Sequence, residues 1–414
     1  MLNKSQNPNY KWVIMILGAL TNAFVVAVPG MGMSVLLPEI SKDLNLNLVQ
    51  AGLVWGIGSL PMLFASLLAG TLCDRFGPKR ILIAACLLMG LSGALRAFST
   101  NFASLMVTVF FFGFFGPLAL IGNLKNAVIW FPESEVGIAN GLGTLGMAAG
   151  FFIGSMVSAA FLSPALGGWR NVFYLFGAVA ALFSVPWFLT RPSPGSLPTA
   201  AQGSNPASFK KSMSHLAGLK DMWILGLSVM IVSGGILGVL GYLPLYLQGL
   251  GWSVSTTGGV LASFHIASMI CVLPLTIWSD RLGSRRNILI MAALINSIGI
   301  ALLSFAKGAA VWGALIMAGS VRDGFMAVFF TLVSELRGVG KVYSGMAAGF
   351  MMVFMAVGNL VAPPLGNSLA GSVALGAPLL FWAALVFIGG MGILLAPGKK
   401  PALESTKIAG VEEG

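Results

Sequence analysis

Long apolar runs separated by short polar loops make up most of this 414-residue chain. A helix that crosses the hydrocarbon core of a bilayer needs about 20 mostly apolar residues. Twelve runs have about that length, which predicts an all-α membrane protein of twelve transmembrane helices with both chain ends on one side. The predicted spans, numbered 1 to 12 in chain order, cover residues 12–37, 50–72, 81–99, 104–130, 137–161, 171–190, 221–246, 256–278, 287–306, 311–333, 343–366 and 373–396.

One long polar interval divides the chain, and a second polar stretch forms its C-terminal tail. The longer interval separates six spans from six, and its prolines, serines and glycines favour a flexible linker. The polar tail after Pro397 is predicted to be disordered. The expected organisation is an N-terminal six-helix half (1–190), a cytoplasmic linker (191–220), a C-terminal six-helix half (221–396) and a disordered cytoplasmic tail (397–414).

The composition excludes a soluble protein. Hydrophobic residues make up 57% of the chain and charged residues only 8%, whereas a soluble domain carries about 25% charged residues. Lipid removes the need for a polar surface. The 54 glycines suit membrane helices, because small residues let helices approach closely.

The net charge of +11 is explained by membrane topology. Nearly all lysines and arginines outside the spans lie on the side that also carries both chain ends and the linker, and this excess marks the cytoplasmic side. We therefore expect a multi-pass protein of the plasma or inner membrane that contacts the lipid bilayer and binds no nucleic acid. Only Lys42, Arg96, Arg170 and Lys307 fall on the external side.

The two halves repeat each other in sequence. Gly146-Met-Ala-Ala-Gly150 in span 5 recurs as Gly345-Met-Ala-Ala-Gly349 in span 11. The loop after span 2 also matches the loop after span 8, and the two repeats have similar offsets. Such matches predict two parallel halves around a central site. The loops read Gly70-Thr-Leu-Cys-Asp74-Arg75-Phe-Gly77-Pro-Lys79-Arg80 and Thr276-Ile-Trp-Ser-Asp280-Arg281-Leu-Gly283-Ser-Arg285-Arg286.

These loops resemble the signature loop of the major facilitator superfamily. The resemblance covers nearly the whole chain. It implies a monomeric transporter in which two pseudo-symmetric halves alternate access to a small-molecule solute. It also implies that the first loop is a conformational latch and the second its partner; a purely topogenic role is the alternative. The implied latch residues are Gly70, Asp74, Arg75, Gly77, Lys79, Arg80, Asp280, Arg281, Gly283 and Arg285.

Shorter stretches refine the expected solute. Residues 336–340 and 343–345 resemble bacterial and archaeal permeases for cyanate, nitrate-like ions or monocarboxylates. Proton-coupled drug exporters of the superfamily usually carry an arginine early in span 4 and a Gly-Pro pair in span 5. Residues 109–117 contain no arginine, and Met147 follows Gly146. The resemblance therefore favours a small organic or inorganic anion, with proton-coupled export of amphipathic compounds as the alternative.

Four ionisable residues stand out toward the middle of predicted spans: Lys125, Arg322, Asp323 and His265. Burying such a group at mid-membrane costs about 2.5–3.5 kcal/mol, which makes each a functional candidate. We expect Lys125 and Arg322 to bind an anionic solute, and His265 or Asp323 to carry a coupled proton. The alternatives are a snorkelling lysine, an arginine paired with an acid on another helix and a histidine that only packs.

Uncharged polar side chains complete the predicted site. The resemblance implies that spans 1, 4, 7 and 10 line the central cavity. Polar residues on these spans and on span 11 are candidates for binding solute along the path. They are Asn22, Asn123, Asn126, Tyr242 and Asn359.

Other functional classes find little support. The only histidines, His215 and His265, lie too far apart in sequence for a His-Glu-x-x-His zinc site. No Ser/His/Asp or Cys/His constellation is evident. We therefore expect neither an enzyme nor a cofactor or metal. A solute sensor on a transporter scaffold stays open as a second alternative, although neither linker nor tail is long enough for a signalling domain.

Overall fold

A computed structural model describes residues 9–191 and 206–396. Within these ranges all regular structure is helical, and twelve helices are long and apolar enough to cross a membrane. The predicted all-α fold is confirmed. The spans are Tyr10–Asp43, Leu48–Ser66, Pro78–Phe98, Phe102–Trp130, Glu135–Leu166, Trp169–Leu189, Lys220–Gly249, Val254–Leu282, Arg285–Leu303, Ala309–Glu335, Tyr343–Ser372 and Ala377–Leu395; the helix of span 2 continues as Ser59–Phe76.

Glycine permits the closest helix contacts within each half. A Cβ atom at Gly146 of span 5 would lie 2.2 Å from the Ala19 carbonyl oxygen of span 1. In the C-terminal half, a Cβ atom at Gly358 of span 11 would lie 1.9 Å from the Met230 carbonyl oxygen of span 7. No larger residue fits at such distances, so these glycines let equivalent helix pairs pack backbone to backbone.

The two halves meet at the side of the bundle that lies farthest from the chain termini, here called the far side. Span 2 begins there and packs on the end of span 11. A Cβ atom at Gly56 would lie 2.6 Å from the Asn359 carbonyl oxygen, and Asn367 Nδ2 donates to the Leu48 carbonyl at 2.7 Å.

Further contacts between the halves join spans 1 and 7 and spans 5 and 8. Ser34 Oγ donates to the Leu240 carbonyl at 2.6 Å. A Cβ atom at Gly258 would lie 2.4 Å from the Ser155 carbonyl oxygen. Because these contacts lie in the half of each helix nearer the far side, the bundle is closed there, and on the termini side a cleft separates span 2 from span 11.

Part of the linker is a helix. Pro206–Ala217 lies within the segment that the composition predicts to be flexible. His215 Nε2 lies 2.8 Å from the Gly338 carbonyl oxygen, its ring is 5.0 Å from the ring of Tyr343, and Leu216 is fully buried. These contacts hold the linker helix on the C-terminal half. The remaining linker residues 192–205 and the tail 397–414 lie outside the described residues.

The signature loops need glycine for their turns. Gly77 has a φ of +80° and Gly283 a φ of +62°. Residues with a Cβ atom rarely adopt such positive φ angles. Gly70 differs, because a Cβ atom there would meet nothing within 4 Å.

Candidate functional site

Arg322 and Asp323 form an ion pair at the middle of span 10. The alternative drawn from the sequence was a pairing of Arg322 with an acid on another helix, because adjacent helical residues point about 100° apart. The partner is instead the next residue of the same helix, because the long arginine reaches around the helix to Asp323 Oδ1. The two side chains keep 27% and 33% exposure. The central arginine is therefore accessible but already charge-compensated.

Span 8 places two polar residues beside this pair. Ser268 Oγ accepts a hydrogen bond from the Asp323 N–H at 3.1 Å. His265, one turn earlier on the same face, lies close enough to interact electrostatically with both Arg322 and Asp323. These four residues, called the span 8–10 cluster below, combine one cation, one anion, an imidazole and a hydroxyl.

His265 lies at the seam between the halves. Its side chain is 4% exposed, and its ring centroid lies 5.2 Å from that of Phe151 in span 5 of the opposite half. Its Nε2 has no hydrogen-bond partner within the described residues. Movement of span 5 relative to span 8 would thus change the environment of this imidazole directly.

Lys125 pairs with the signature loop. Its Nζ forms an ion pair with Asp74 and donates to the Gly70 carbonyl at 2.9 Å. The lysine therefore neither snorkels freely nor presents an unpaired charge to solute in this conformation. Instead it ties span 4 to the end of span 2. Sequence reasoning found both residues but did not connect them.

The matching loop of the C-terminal half uses a different pairing. Arg285 forms ion pairs with Asp280 of its own loop and with Glu335 at the end of span 10, the latter at 3.3 Å. Lys79, the counterpart of Arg285, donates instead to the Thr190 carbonyl. The polar contacts of both loops thus stay within their own halves. Arg75, Arg80 and Arg281 are exposed.

Two predicted asparagines form a hydrogen-bonded pair. Asn123 Nδ2 donates to Asn22 Oδ1 at 2.7 Å and to the Gly18 carbonyl at 3.2 Å. Both line a cavity of about 270 Å³ between spans 1, 4 and 5. Asn22 begins the π-helical stretch Asn22–Ala27, a feature often found at functional sites. Asn126 is 1% exposed and does not line this cavity.

Tyr242 of span 7 is packed rather than exposed to a path. It is 1% exposed, its hydroxyl donates to the Leu375 carbonyl at 2.9 Å, and its ring contacts Trp382. In this conformation it joins span 7 to the start of span 12.

Asn359 of span 11 lines the cleft between spans 2 and 11. Ser233 Oγ donates to its Oδ1 at 2.7 Å. The cleft has a volume of about 530 Å³, and none of its lining residues is charged. It lies on the termini side of the contact between Gly56 and the Asn359 backbone.

Arg96 is a buried cation that sequence reasoning missed. Topology placed it on the external side, at the end of span 3, but the side chain is 2% exposed. Its guanidinium lies 3.9 Å from the ring centroid of Phe112 and 5.4 Å from that of Phe173. Aromatic faces stabilise a cation without a carboxylate, and no acidic residue near it in sequence signals this environment.

Comparison with known proteins settles the family. A model of the major facilitator superfamily matches residues 15–338 and 250–411. The chain belongs to the major facilitator superfamily. This confirms the resemblance of the signature loops, and the protein is a multi-pass membrane protein and a secondary transporter of a small-molecule solute rather than an enzyme.

The individual relatives share only a minority of their residues with this chain. A probable sulfoacetate transporter of Cupriavidus necator is 25% identical over 92% of this chain and 93% of its own length. A probable nitrate/nitrite transporter of Mycobacterium tuberculosis is 28% identical over 74% and 73%. A bacterial homologue of the human lysosomal transporter Spinster, solved in an inward-facing and occupied conformation, matches with a TM-score of 0.78 at 12% identity over 95% and 97% of the two chains, which shows the shared fold.

Proposed function

We propose that this transporter moves a small anion across the plasma or inner membrane by alternating access, in symport with a proton. The observation that carries the proposal is Arg322 at the middle of span 10, accessible and beside an acid and an imidazole. An arginine binds carboxylates and other oxyanions through two parallel hydrogen bonds. Its Nη1 donates to Asp323 and the side chain keeps 27% exposure, so a guanidinium with five N–H donors retains donor capacity beyond that bond.

The ion pair of Arg322 and Asp323 couples anion binding to protonation. While Asp323 is ionised, it neutralises Arg322, and an incoming anion meets a carboxylate as well as a cation. Protonation of Asp323 removes that negative charge and leaves the guanidinium for the solute. Anion and proton then bind together with little change in the net buried charge, which avoids the cost of an uncompensated ion in the membrane. His265 is the second candidate for the proton.

The proposed orientation of the protein in the membrane defines the side to which the structure is open. The excess of lysine and arginine on the termini side makes that side cytoplasmic. A bundle closed on the far side then faces inward, with the span 8–10 cluster open to the cytoplasm. The names of the sulfoacetate and nitrate/nitrite relatives support an anionic solute.

Export of amphipathic compounds is a second candidate function, favoured by the uncharged cleft between spans 2 and 11. Reconstituted vesicles distinguish the two. Under the anion proposal, an acid exterior accelerates uptake of radiolabelled nitrate or acetate, and dissipating the pH gradient slows it. Proton-driven movement of ethidium with no uptake of any small anion would contradict the anion proposal in favour of the second candidate.

The pairing of Lys125 with Asp74 gives a separate prediction. Loss of an ion pair of this exposure costs about 1 kcal/mol at most, so Lys125→Ala should slow transport by up to about fivefold. Anion affinity should stay within about twofold of wild type, because the lysine binds the loop and not the solute. Lys125→Arg should keep most of the rate.

A matched control comes from Lys11, which pairs with Glu135 on the same side of the bundle. Lys11→Ala should change neither transport rate nor affinity. Initial uptake rates and equilibrium binding of labelled anion measure the two quantities. A tenfold or larger loss of affinity in Lys125→Ala, with Lys11→Ala normal, would show that Lys125 binds the solute.

A further inference from the structure

The cleft between spans 2 and 11 has an unusual lining. Five of its lining side chains are methionines, and Phe350 adds an aromatic ring, whereas no lining residue carries a charge. Methionine side chains adapt to irregular apolar ligands through three rotatable bonds and a polarisable sulfur. The methionines are Met62, Met213, Met346, Met352 and Met355.

The closed end of the cleft is polar. Ser59 and Asn359 lie there, beside the contact of Gly56 with the Asn359 carbonyl. Ser66 also lines the cleft, but its hydroxyl donates to the Met62 carbonyl of its own helix. The hydrogen bond from Ser233 occupies the oxygen of the Asn359 amide. This bond fixes the amide orientation, and the Nδ2 group is then the donor that the side chain offers at the cleft. An apolar wall with a few polar groups at one end is the usual form of a site for a small organic molecule.

Span 11 leaves room for such a ligand. Gly345 and Gly349 both line the cleft, and a Cβ atom at either position would meet nothing within 4 Å. Their sequence counterparts in span 5, Gly146 and Gly150, instead pack against the backbone of span 1. The same motif therefore closes a helix contact in one half and borders open space in the other.

We propose that the cleft between spans 2 and 11 holds the aromatic or alkyl body of a transported organic acid. A carboxylate is too costly to desolvate among uncharged side chains, so the acid group stays outside the cleft. The inference rests on the proposed anion transport and narrows its solute class to organic acids with an apolar body, in preference to nitrate-like ions.

A matched pair of ligands tests the proposal. Acetate and phenylacetate share the carboxylate and differ by a phenyl ring. The wild-type transporter should bind phenylacetate at least about tenfold more tightly than acetate, the factor expected when most of a ring leaves water. A Cβ atom at Gly349 meets nothing within 4 Å, so Gly349→Leu should place its side chain in the cleft and reduce the phenylacetate affinity to that of acetate. Acetate affinity should stay unchanged, which also shows that the variant is folded.

Gly371→Leu is the matched control. Gly371 lies on the same helix, has equally open surroundings and does not line the cleft, so its variant should keep both affinities. Equal binding of the two ligands by wild type, or an intact phenylacetate preference in Gly349→Leu, overturns the inference. The same holds if Gly349→Leu releases a copurified lipid while phenylacetate affinity is unchanged, because an acyl chain is then the occupant.

Arg322→Ala separates this inference from the proposed function. Loss of both acetate and phenylacetate binding in that variant supports the anion site. If Arg322→Ala binds both ligands normally while Gly349→Leu loses only the phenylacetate preference, the anion site is wrong and the cleft assignment stands.

Discussion

Replacing Arg322 with alanine should lower anion affinity at least about 100-fold. Each hydrogen bond to a charged group contributes about 1.5–3 kcal/mol, and a bidentate oxyanion makes two. The substitution also leaves Asp323 without its cation, which adds repulsion toward an anion. Isothermal titration of the purified transporter with nitrate and acetate measures the loss.

The lysine variant separates charge from geometry. Arg322→Lys keeps a positive charge but loses the planar fork, so its affinity should stay within about threefold of the alanine variant. Arg170, which pairs with Asp43 on the far side, provides the control, and Arg170→Ala should bind anions normally. Wild-type anion affinity in Arg322→Ala would assign the arginine a structural role.

Asp323→Asn should make anion binding independent of pH. In the wild-type protein, affinity should rise about tenfold for each unit of pH decrease while Asp323 is ionised, because one proton binds with one anion. The asparagine variant mimics the protonated acid and leaves Arg322 available. The anion affinity of this variant should therefore match or exceed that of the wild-type protein at acid pH. The variant should still transport the anion down its concentration gradient, but a pH gradient should no longer drive uptake.

His265→Asn is the companion variant, since the imidazole shares the span 8–10 cluster. If the histidine carries the proton, its variant loses the pH dependence and Asp323→Asn retains it. An unchanged pH dependence in both variants excludes both groups as the proton carrier. Asp43→Asn, which alters an ion-paired acid on the far side, should behave as wild type.

The sequence predicted the fold because each membrane span is specified locally. A run of about 20 apolar residues forms a helix across the bilayer whatever its neighbours are. The turns of the signature loops are equally local, because Gly77 and Gly283 adopt positive φ angles there. The helix Pro206–Ala217 was missed because its polar residues carry no span signal and its stability comes from packing on the C-terminal half.

The pairing of charges could not be predicted in the same way. The ion pair of Lys125 and Asp74 joins residues 51 positions apart, and its formation depends on how span 4 packs against span 2. The pair of Arg322 and Asp323 was missed for another reason, because Cβ directions on a helix do not limit where a long side chain ends. Arg96 was misplaced because aromatic rings from two other spans stabilise it.

Sequence repeats predicted equivalent helices but not equivalent surroundings. Gly150 packs on span 1, whereas Gly349, its counterpart, borders the cleft. The difference arises from tertiary packing, because Gly150 contacts span 1 of its own half and Gly349 borders the cleft toward span 2 of the opposite half. The candidate site therefore depends on a conformation that the amino-acid pattern alone does not select.

The most direct test of the central claim counts protons. Purified transporter in weakly buffered solution with a pH indicator is mixed with saturating nitrate or acetate near neutral pH. Coupling through the Arg322–Asp323 pair predicts uptake of about one proton per bound anion in the wild-type protein, and none in Asp323→Asn, which still binds the anion. Anion binding by the wild-type protein without proton uptake would contradict the account.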